Sequence, residues 1–299
     1  MKYKIIKLIF NNHVHFGERR LSDSGFTFKS DSFYSALMIE AVKLGLDKEF
    51  LDMVRSNQLL ISDLFPYKHD EFFLPKPNIK LPYEQLINKK FRQLEYISAG
   101  NMPDFILHRL NIDEECEKQS FGESSLSEKV SLQSEESEPY VVGIFQFQKD
   151  AGLYLIAKVS ENAESLLDSL LKCLSLTGIG GKRTAGYGKF EFRYEESRLM
   201  DSILNDMQKR KLLISTAITP NGKVPPLDNA RYKLIKRSGF IDSEYYSQTP
   251  TKKTDIYAFQ AGSTFPDSFD GDVFIVGNKG NHPVYKFLKP LFISFGGAM

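Results

Sequence analysis

The apolar residues of the first 197 positions recur with two different periods, which predict strands and helices in a definite order. Alternation with β-branched and aromatic residues is typical of strands, whereas spacings of three and four residues are typical of helices. The predicted segments are a strand at 2–10, helices at 33–46 and 47–56, strands at 58–66 and 71–77, strands at 140–147 and 152–159, a helix at 163–176 and a strand at 189–194. We expect each of the two strand pairs to form a hairpin.

This order favours an α+β fold of the ferredoxin-like, or RNA-recognition-motif-like, β-α-β-β-α-β type with insertions. A connecting helix over about 198–209 leads to a second half with little helical pattern. Further strands are predicted there at 211–218, 256–260, 273–276 and 291–295. We therefore expect two ferredoxin-like domains, 1–197 and 198–299, of which the second is degenerate. We expect the first domain to carry an insertion at about 78–138.

Three polar residues, Ser30, Asp31 and Ser32, precede the first predicted helix. Serine and aspartate are preferred at helix N-caps because their side-chain oxygens accept hydrogen bonds from free backbone N–H groups. We interpret Asp31 as a helix cap and not as a metal ligand. Asp23, Asp63 and Asp70 likewise lack the spacing of a metal site, so the sequence predicts no bound metal and no cofactor.

The 299-residue chain has 39 Lys plus Arg and 38 Asp plus Glu, but its net charge of +1 hides two opposite segments. Residues 111–138 hold nine acidic residues against two lysines, a net charge of −7, and are rich in serine. We expect this segment to be a mobile insertion. Residues 207–237 hold eight basic residues against one aspartate, a net charge of +7. That segment is either a solvated face or a second wall of an RNA channel.

Several classes of protein are disfavoured by composition. The two cysteines are too few for a disulfide framework or a four-thiolate metal site. Lysines interrupt the apolar stretch at the N-terminus, unlike a signal peptide, and no apolar stretch approaches the length of about 18 residues that spans a membrane. We therefore expect a cytoplasmic protein.

The segment 177–188 joins a predicted helix to a predicted strand and has five glycines in eleven residues. Glycine lets the backbone adopt positive φ and approach a ligand closely, and N–H groups in such turns can bind anions. Cations, a hydroxyl and an aromatic ring complete a surface suited to a single-stranded phosphate backbone. The RNA-binding candidates of this loop are Gly178, Gly180, Gly181, Lys182, Arg183, Thr184, Ala185, Gly186, Tyr187 and Gly188.

This loop is neither a Walker loop nor a Rossmann fingerprint. The glycine spacing differs, and mononucleotide-binding loops run from strand to helix, whereas this one runs from helix to strand. A plain glycine-rich connection with its charges in water remains an alternative at this point.

The sequence GIGGKRTAGYGKFEF at 178–192 resembles the glycine-rich loop of the RAMP superfamily of CRISPR RNA-binding proteins. The segments at 21–24 and 28–37 are similar to the early loop and first helix of that superfamily. Four further segments resemble the subunit-four family of the type III-A (Csm) effector complex. These are Leu64–Tyr67, Phe73–Pro77, Gly262–Phe265 and Asn281–Phe287.

The resemblance implies a subunit of the five-prime-handle-binding group, which caps one end of the complex. It implies that the chain holds the repeat-derived five-prime tag of the guide RNA, and that it joins a large polymerase-like subunit to the repeating backbone subunit. Ser30 and Ser32 are further RNA-binding candidates. A thumb-like hairpin is implied at the tag–guide boundary, and we place it at 78–110. Residues available there are Lys89, Lys90, Arg92, Tyr96, Met102 and Phe105.

Two histidines, His13 and His15, face the same side of an extended segment. Because histidine transfers protons near neutral pH, a metal-independent endoribonuclease that processes guide RNA is an alternative function. Related nucleases of the superfamily have their glycine loop near the C-terminus, whereas 111 residues follow the loop here. We therefore expect no enzymatic activity, with His15 in contact with RNA. A module that binds a protein through the same loop is a third possibility.

Overall fold

The computed structural model of the chain describes residues 1–18, 20–131, 138–241, 246 and 249–296. Its first part contains β1 (Lys2–Ile9), β2 (Phe16–Gly17), β3 (Ser24–Gly25), α1 (Ser30–Leu44), α2 (Asp47–Arg55), β4 (Leu59–Ile61), β5 (Phe65–Lys68), β6 (Glu71–Pro75), α3 (Tyr83–Ile87), α4 (Lys89–Gln93), β7 (Tyr96–Ser98), α5 (Met102–Ile106), α6 (Ile112–Lys118), β8 (Gly122–Ser131), β9 (Glu138–Phe147), β10 (Ala151–Val159), α7 (Glu161–Thr177) and β11 (Glu191–Glu195). Its second part contains α8 (Arg198–Leu204), β12 (Arg210–Leu213), β13 (Leu234–Arg237), β14 (Ile256–Phe259), β15 (Thr264–Phe265), β16 (Asp272–Gly277), β17 (Val284–Leu288) and β18 (Phe292–Phe295).

One antiparallel sheet organises the first part, with the strand order β11-β1-β10-β5-β6-β7. β4 and β5 pair with successive stretches of the same edge of β10. β10 is central and almost wholly buried, because its nearly unbroken apolar run suits a strand covered on both faces. α1 packs against α7, and the apolar stripe of α7 is buried. The second part has smaller sheets, β15-β12-β18, β13-β14 and β16-β17.

The helices predicted at 33–46, 47–56 and 163–176 are confirmed as α1, α2 and α7. The hairpin predicted at 58–77 is confirmed by the β5–β6 pair, whereas that predicted at 140–159 is wrong. Both of its strands form, but β9 pairs with β8 over ten residues and β10 pairs with β1, β4 and β5.

The acidic segment expected to be a mobile insertion is ordered over most of its length, as α6 and β8. Residues 132–137 lie outside the described part of the chain. α6 is fixed because Glu115 is buried and accepts hydrogen bonds from the Ser98 N–H (2.7 Å), the Ser98 hydroxyl and the Asn101 amide. Net charge alone therefore misjudged a segment that the buried Glu115 carboxylate and the pairing of β8 with β9 hold in place.

The thumb-like hairpin expected at 78–110 is also misplaced. This segment forms α3, α4, β7 and α5, and the side chains of Tyr96, Met102 and Phe105 are buried in the core. Phe105 stacks on Phe91 with ring centroids 5.9 Å apart. The aromatic residues that seemed available to RNA are therefore used for packing, and the long hairpin of the first part is β8–β9.

The two parts of the chain meet at a buried carboxylate, Asp31, which lies in the first turn of α1 and does not cap it. Its oxygens accept two hydrogen bonds from the Arg237 guanidinium (2.9 and 2.8 Å) and one from the Lys286 ammonium (2.9 Å). Burial alone would raise the pKa of Asp31, but the charges of Arg237 and Lys286 outweigh burial and lower it to about 2. The prediction that Asp31 is the N-cap is wrong, since Lys29 holds that position.

A second buried carboxylate, Asp63, strengthens the same junction. It accepts hydrogen bonds from the Ser30 N–H (2.9 Å), the Thr216 N–H (2.9 Å) and the Thr216 hydroxyl. The Lys29 ammonium lies 3.4 Å from it. One hydrophobic core also runs through both parts, because Leu212 and Ile293 belong to the same buried cluster as β10.

The segments 28–37, 262–265 and 281–287, which carry the family resemblance, take part in this junction. The Asn78 N–H donates to the Gly262 carbonyl (2.7 Å), and the Thr264 hydroxyl donates to the Asn78 carbonyl (2.6 Å). Phe287, next to Lys286, stacks on Tyr34 of α1 with ring centroids 5.5 Å apart. These segments therefore join the two parts of the chain.

The junction predicts a large stability loss for Asp31→Asn, because Arg237 and Lys286 would stay buried without a counter-charge. We expect the free energy of unfolding to fall by about 3 kcal/mol. Asp113→Asn is the matched control, since the Asp113–Lys90 pair is exposed, and its loss should leave the free energy of unfolding nearly unchanged. Chemical denaturation at neutral pH measures both, and equal losses would contradict the assignment.

The same carboxylate predicts a pH dependence. Its pKa is lower in the folded state than the ordinary value of 3.8, so its stabilisation is present above about pH 4 and is lost as the pH falls towards about 2. Denaturation at stepped pH should show the gap between the native chain and Asp31→Asn closing over that window. A gap that stays constant down to pH 2 would refute this.

Candidate nucleic-acid interface

The glycine-rich loop begins where α7 ends and is closed by its own backbone. The Ile179 side chain is fully buried, and the Ile179 N–H donates to the Gly188 carbonyl at the far end of the loop (3.0 Å). At the helix end, the Thr177 hydroxyl donates to Glu40 of α1 (2.9 Å), which is itself buried and paired with Lys43. The loop is thereby held at both ends.

Two glycines of the loop are required by both conformation and space. Gly188 has a φ of +73°, and a Cβ there would lie 1.9 Å from the Ile179 carbonyl oxygen. Gly180 has a φ of +89°, and a Cβ there would lie 2.6 Å from the His15 carbonyl oxygen. Any other residue at these positions would displace the backbone.

The extended segment that carries the two histidines lies directly against the loop. The Gly188 N–H donates to the His13 carbonyl and the Gly181 N–H donates to the His15 carbonyl, both at 2.9 Å. The His15 ring is buried, and its Nδ1–H donates to the Gly143 carbonyl of β9 (2.6 Å). This burial is at odds with the expectation that His15 contacts RNA. The residue instead joins β9 to the loop, through its ring at Gly143 and its carbonyl at Gly181.

The β8–β9 hairpin packs against the other side of the loop through two cation–aromatic contacts. The Lys182 ammonium lies 4.7 Å from the ring centroid of Tyr140, and the Lys129 ammonium lies 5.2 Å from that of Tyr187. The Tyr187 hydroxyl hydrogen-bonds to Ser127 (3.3 Å). This bond and the nearby Lys129 charge lower the pKa of Tyr187.

Tyr187 was expected to offer a ring for base stacking, but its side chain is buried against Val142 and Ile144 of the hairpin. The ring therefore fixes the hairpin to the loop. Four of the loop glycines are likewise engaged, because their N–H groups donate to carbonyl oxygens and do not point to a phosphate. These are Gly178, Gly181, Gly186 and Gly188.

The outer edge of the loop is accessible. Thr184, Ala185 and the adjacent Lys189 are exposed, whereas Lys182 and Arg183 are half-buried. The arrangement thus presents cationic side chains and a hydroxyl on a rigid turn, which suits phosphate contacts without base specificity.

Ser30 and Ser32, which were predicted to bind RNA, lie at the junction of the two parts of the chain and not at the loop. The Ser30 hydroxyl is buried and accepts from the Thr216 N–H (3.1 Å), and the Ser32 hydroxyl accepts from Arg237 (2.9 Å). Both belong to the junction, so direct contact of Ser30 with RNA is contradicted.

Sequence reasoning missed the residues that hold the loop in place. Tyr140, Lys129 and Ser127 come from the hairpin, and Glu40 comes from α1. β8 has only two apolar side chains, Leu126 and Val130, and both are exposed, so its sequence gives no strand pattern that could have predicted the hairpin. Nothing in the local sequence marks Glu40.

In the described part of the chain, no three or more His, Cys, Asp or Glu side chains are grouped so that they could hold a metal ion. No helix among the described residues is both long and apolar enough to cross a membrane. A cavity of about 510 Å³ lies at the start of β1, lined by Met1, Tyr3 and Lys211 among others, and does not include the loop.

Comparisons with known proteins identify relatives along the whole chain. The family model of the CRISPR Csm4 C-terminal domain matches residues 206–295. A Mycobacterium tuberculosis (strain CDC 1551 / Oshkosh) protein described as CRISPR system Cms protein Csm4 is 32% identical over 299 residues, which cover 98% of each chain. The protein so described from Streptococcus thermophilus is 29% identical over 310 residues, with 98% of each chain covered.

Solved structures share the fold. The chain resembles one in the Csm3–Csm4 subcomplex of the type III-A CRISPR-Cas interference complex, with a TM-score of 0.69, 19% identity and 98% and 99% of the two chains covered. It also resembles one in the Csm1–Csm4 cassette in complex with cA4, with a TM-score of 0.64, 15% identity and full coverage of both chains. The chain thus shares the fold of those two chains. By sequence, the chain belongs to the Csm4 family.

The loop geometry predicts a strong effect of Gly188→Ala, because its methyl group would collide with the Ile179 carbonyl. Gly222→Ala is the control, since Gly222 has a similar φ of +80° and open space around it. Both variants incur left-handed strain of about 1–2 kcal/mol, and we expect Gly188→Ala to lose a further 1–3 kcal/mol or so of unfolding free energy through overpacking. Equal losses in chemical denaturation would show that the loop is not closed as described.

Proposed function

We propose that the chain is a non-catalytic subunit of a type III-A CRISPR interference complex that binds the five-prime repeat-derived tag of the guide RNA. The observation that carries this proposal is the rigid loop with Lys182, Arg183 and Lys189 at its edge, closed by backbone bonds and clasped by the β8–β9 hairpin. A phosphate backbone is held best by cations that are already positioned. Membership of the Csm4 family supports the assignment.

The frame of the first domain, 1–197, is ferredoxin-like in this proposal. The strand order β11-β1-β10-β4/β5, with α1 and α7 as the two connections, is the order that a β-α-β-β-α-β unit gives when both connections cross the same sheet. The second domain, 198–299, is a degenerate unit of related type. Its described residues have no helix after α8.

The β8–β9 hairpin takes the role of the thumb at the tag–guide boundary. It is the longest strand pair in the described part of the chain, and its inner face already lies against the glycine loop through Ser127 and Tyr140. RNA held at the loop edge would therefore meet the hairpin next.

We also propose that the chain bridges a large polymerase-like subunit and a repeating backbone subunit. The support comes from chains of the same fold, which have been solved in a Csm3–Csm4 subcomplex and in a Csm1–Csm4 cassette. A cytoplasmic location follows from this role.

The nuclease alternative is disfavoured by the site. A histidine that takes the proton of a 2′-hydroxyl must reach it within hydrogen-bonding distance. His15 is buried and bonded to Gly143, and the His13 ring lies 3.1 Å from the Asn12 side-chain oxygen and 5.9 Å from the Tyr187 ring. The buried His15 is therefore out of reach of a 2′-hydroxyl, which leaves His13, oriented by Asn12, as the candidate base of this alternative.

Replacing Lys182 and Arg183 by alanine should weaken RNA binding and reduce its salt dependence. Each phosphate contact that forms releases counterions from the RNA, so a variant with fewer contacts releases fewer of them on binding. We expect the slope of log K against log salt to fall by about 0.7 per contact. Lys48→Ala with Arg198→Ala removes the same charge from exposed positions elsewhere and should change little. Filter binding of tag RNA over a salt series measures this.

The charge-retaining variant Lys182→Arg with Arg183→Lys should keep the slope of the native chain. An unchanged slope in the alanine variant, or an equal change in the control, would refute RNA binding at the loop.

A further inference from the structure

The β13–β14 ribbon of the second part exposes aromatic rings beside cations. Tyr257 lies directly across the strand pair from Lys236, and 59% of its surface is exposed. Tyr232 precedes β13 on the same alternation and is 43% exposed, while its ring packs edge-on against Phe259 (5.1 Å between centroids). Two rings and an ammonium therefore share one face.

The ribbon extends beyond the two strands and carries a third ring. The Lys253 N–H donates to the Gly239 carbonyl (2.8 Å), and Phe240 forms a bridge with Lys252. Phe240 is 65% exposed. Exposed aromatic rings and basic side chains thus lie along one strand pair, and surfaces that stack bases and track a phosphate backbone combine these two residue types.

Among the described residues, this face carries two exposed cations, Lys236 and Lys252, and one carboxylate, Asp255, which lies 2.6 Å from Lys236 and 3.5 Å from Lys252. Arg231 and Lys233 are also exposed, but strand alternation turns them to the opposite side of the ribbon from Tyr232 and Lys236. Arg237, at the end of β13, turns inward to the junction and is not available. The cations described on this face therefore outnumber its carboxylate.

We propose that the β13–β14 ribbon is a second binding surface for single-stranded RNA, with bases stacked on Tyr232 and Tyr257 and phosphates held by Lys236 and Lys252. This inference rests on the proposed RNA binding of the chain and extends it to a surface separate from the glycine loop. In this proposal the basic segment 207–237 holds two kinds of cation. Arg237 pairs with Asp31 inside the protein, whereas Lys236 is exposed and contacts RNA.

The test compares RNAs of about 4 and about 16 nucleotides, which span the usual range of single-strand sites, by fluorescence anisotropy with the full chain. Tyr257→Ala with Lys236→Ala should weaken the long RNA about fivefold or more, which is about 1 kcal/mol, and leave the short one unchanged. Tyr257→Phe should bind like the native chain because stacking needs only the ring. Tyr83→Ala with Lys48→Ala is the control, since both residues are exposed and neither belongs to the ribbon.

The outcomes separate this inference from the proposed function. If the loop variant at Lys182 and Arg183 weakens both RNAs while the ribbon variant changes neither, the loop binds RNA and the ribbon inference is wrong. If the ribbon variant leaves both RNAs unchanged but loses binding of a purified partner subunit, the ribbon is a protein interface instead.

Discussion

The ion pair of Asp31 with Arg237 and Lys286 is the constraint on which the rest of the molecule depends. A carboxylate taken out of water is destabilising unless cations and hydrogen-bond donors surround it. Here two cations from the second part of the chain, far away in sequence, surround a carboxylate in the first turn of α1. The site cannot be satisfied by either part alone, so its geometry fixes how the two parts meet.

α1 transmits this constraint to the glycine-rich loop. Asp31 lies at one end of the helix, and Glu40, about 14 Å further along at 1.5 Å per residue, accepts the bond from Thr177 where the glycine loop begins. The loop then rests on the segment at 13–15 and is clasped by the β8–β9 hairpin. A candidate interface built in this way is preorganised, because its side chains are placed before RNA arrives.

The local spacing of apolar residues predicted the helices and strands of this fold better than it predicted which elements pack or pair with each other. The periods of α1, α2 and α7 and the glycine loop are visible in sequence, since each depends on neighbouring residues. The pairing of β8 with β9 was missed because net charge suggested a mobile segment, and Asp31 was interpreted as a cap because Arg237 and Lys286 are more than 200 residues away. Tyr187 is buried by residues of the hairpin, so its burial could not be predicted from the sequence of the loop itself.

The most direct test of the RNA-binding account is photo-crosslinking of the assembled complex purified from cells, followed by identification of the RNA ends and the adducted peptides. The account predicts small RNAs of uniform five-prime end, with their first nucleotides crosslinked to the loop at 178–189 and to the β8–β9 hairpin. RNA of mixed five-prime ends, or adducts that avoid both of these segments, would contradict it.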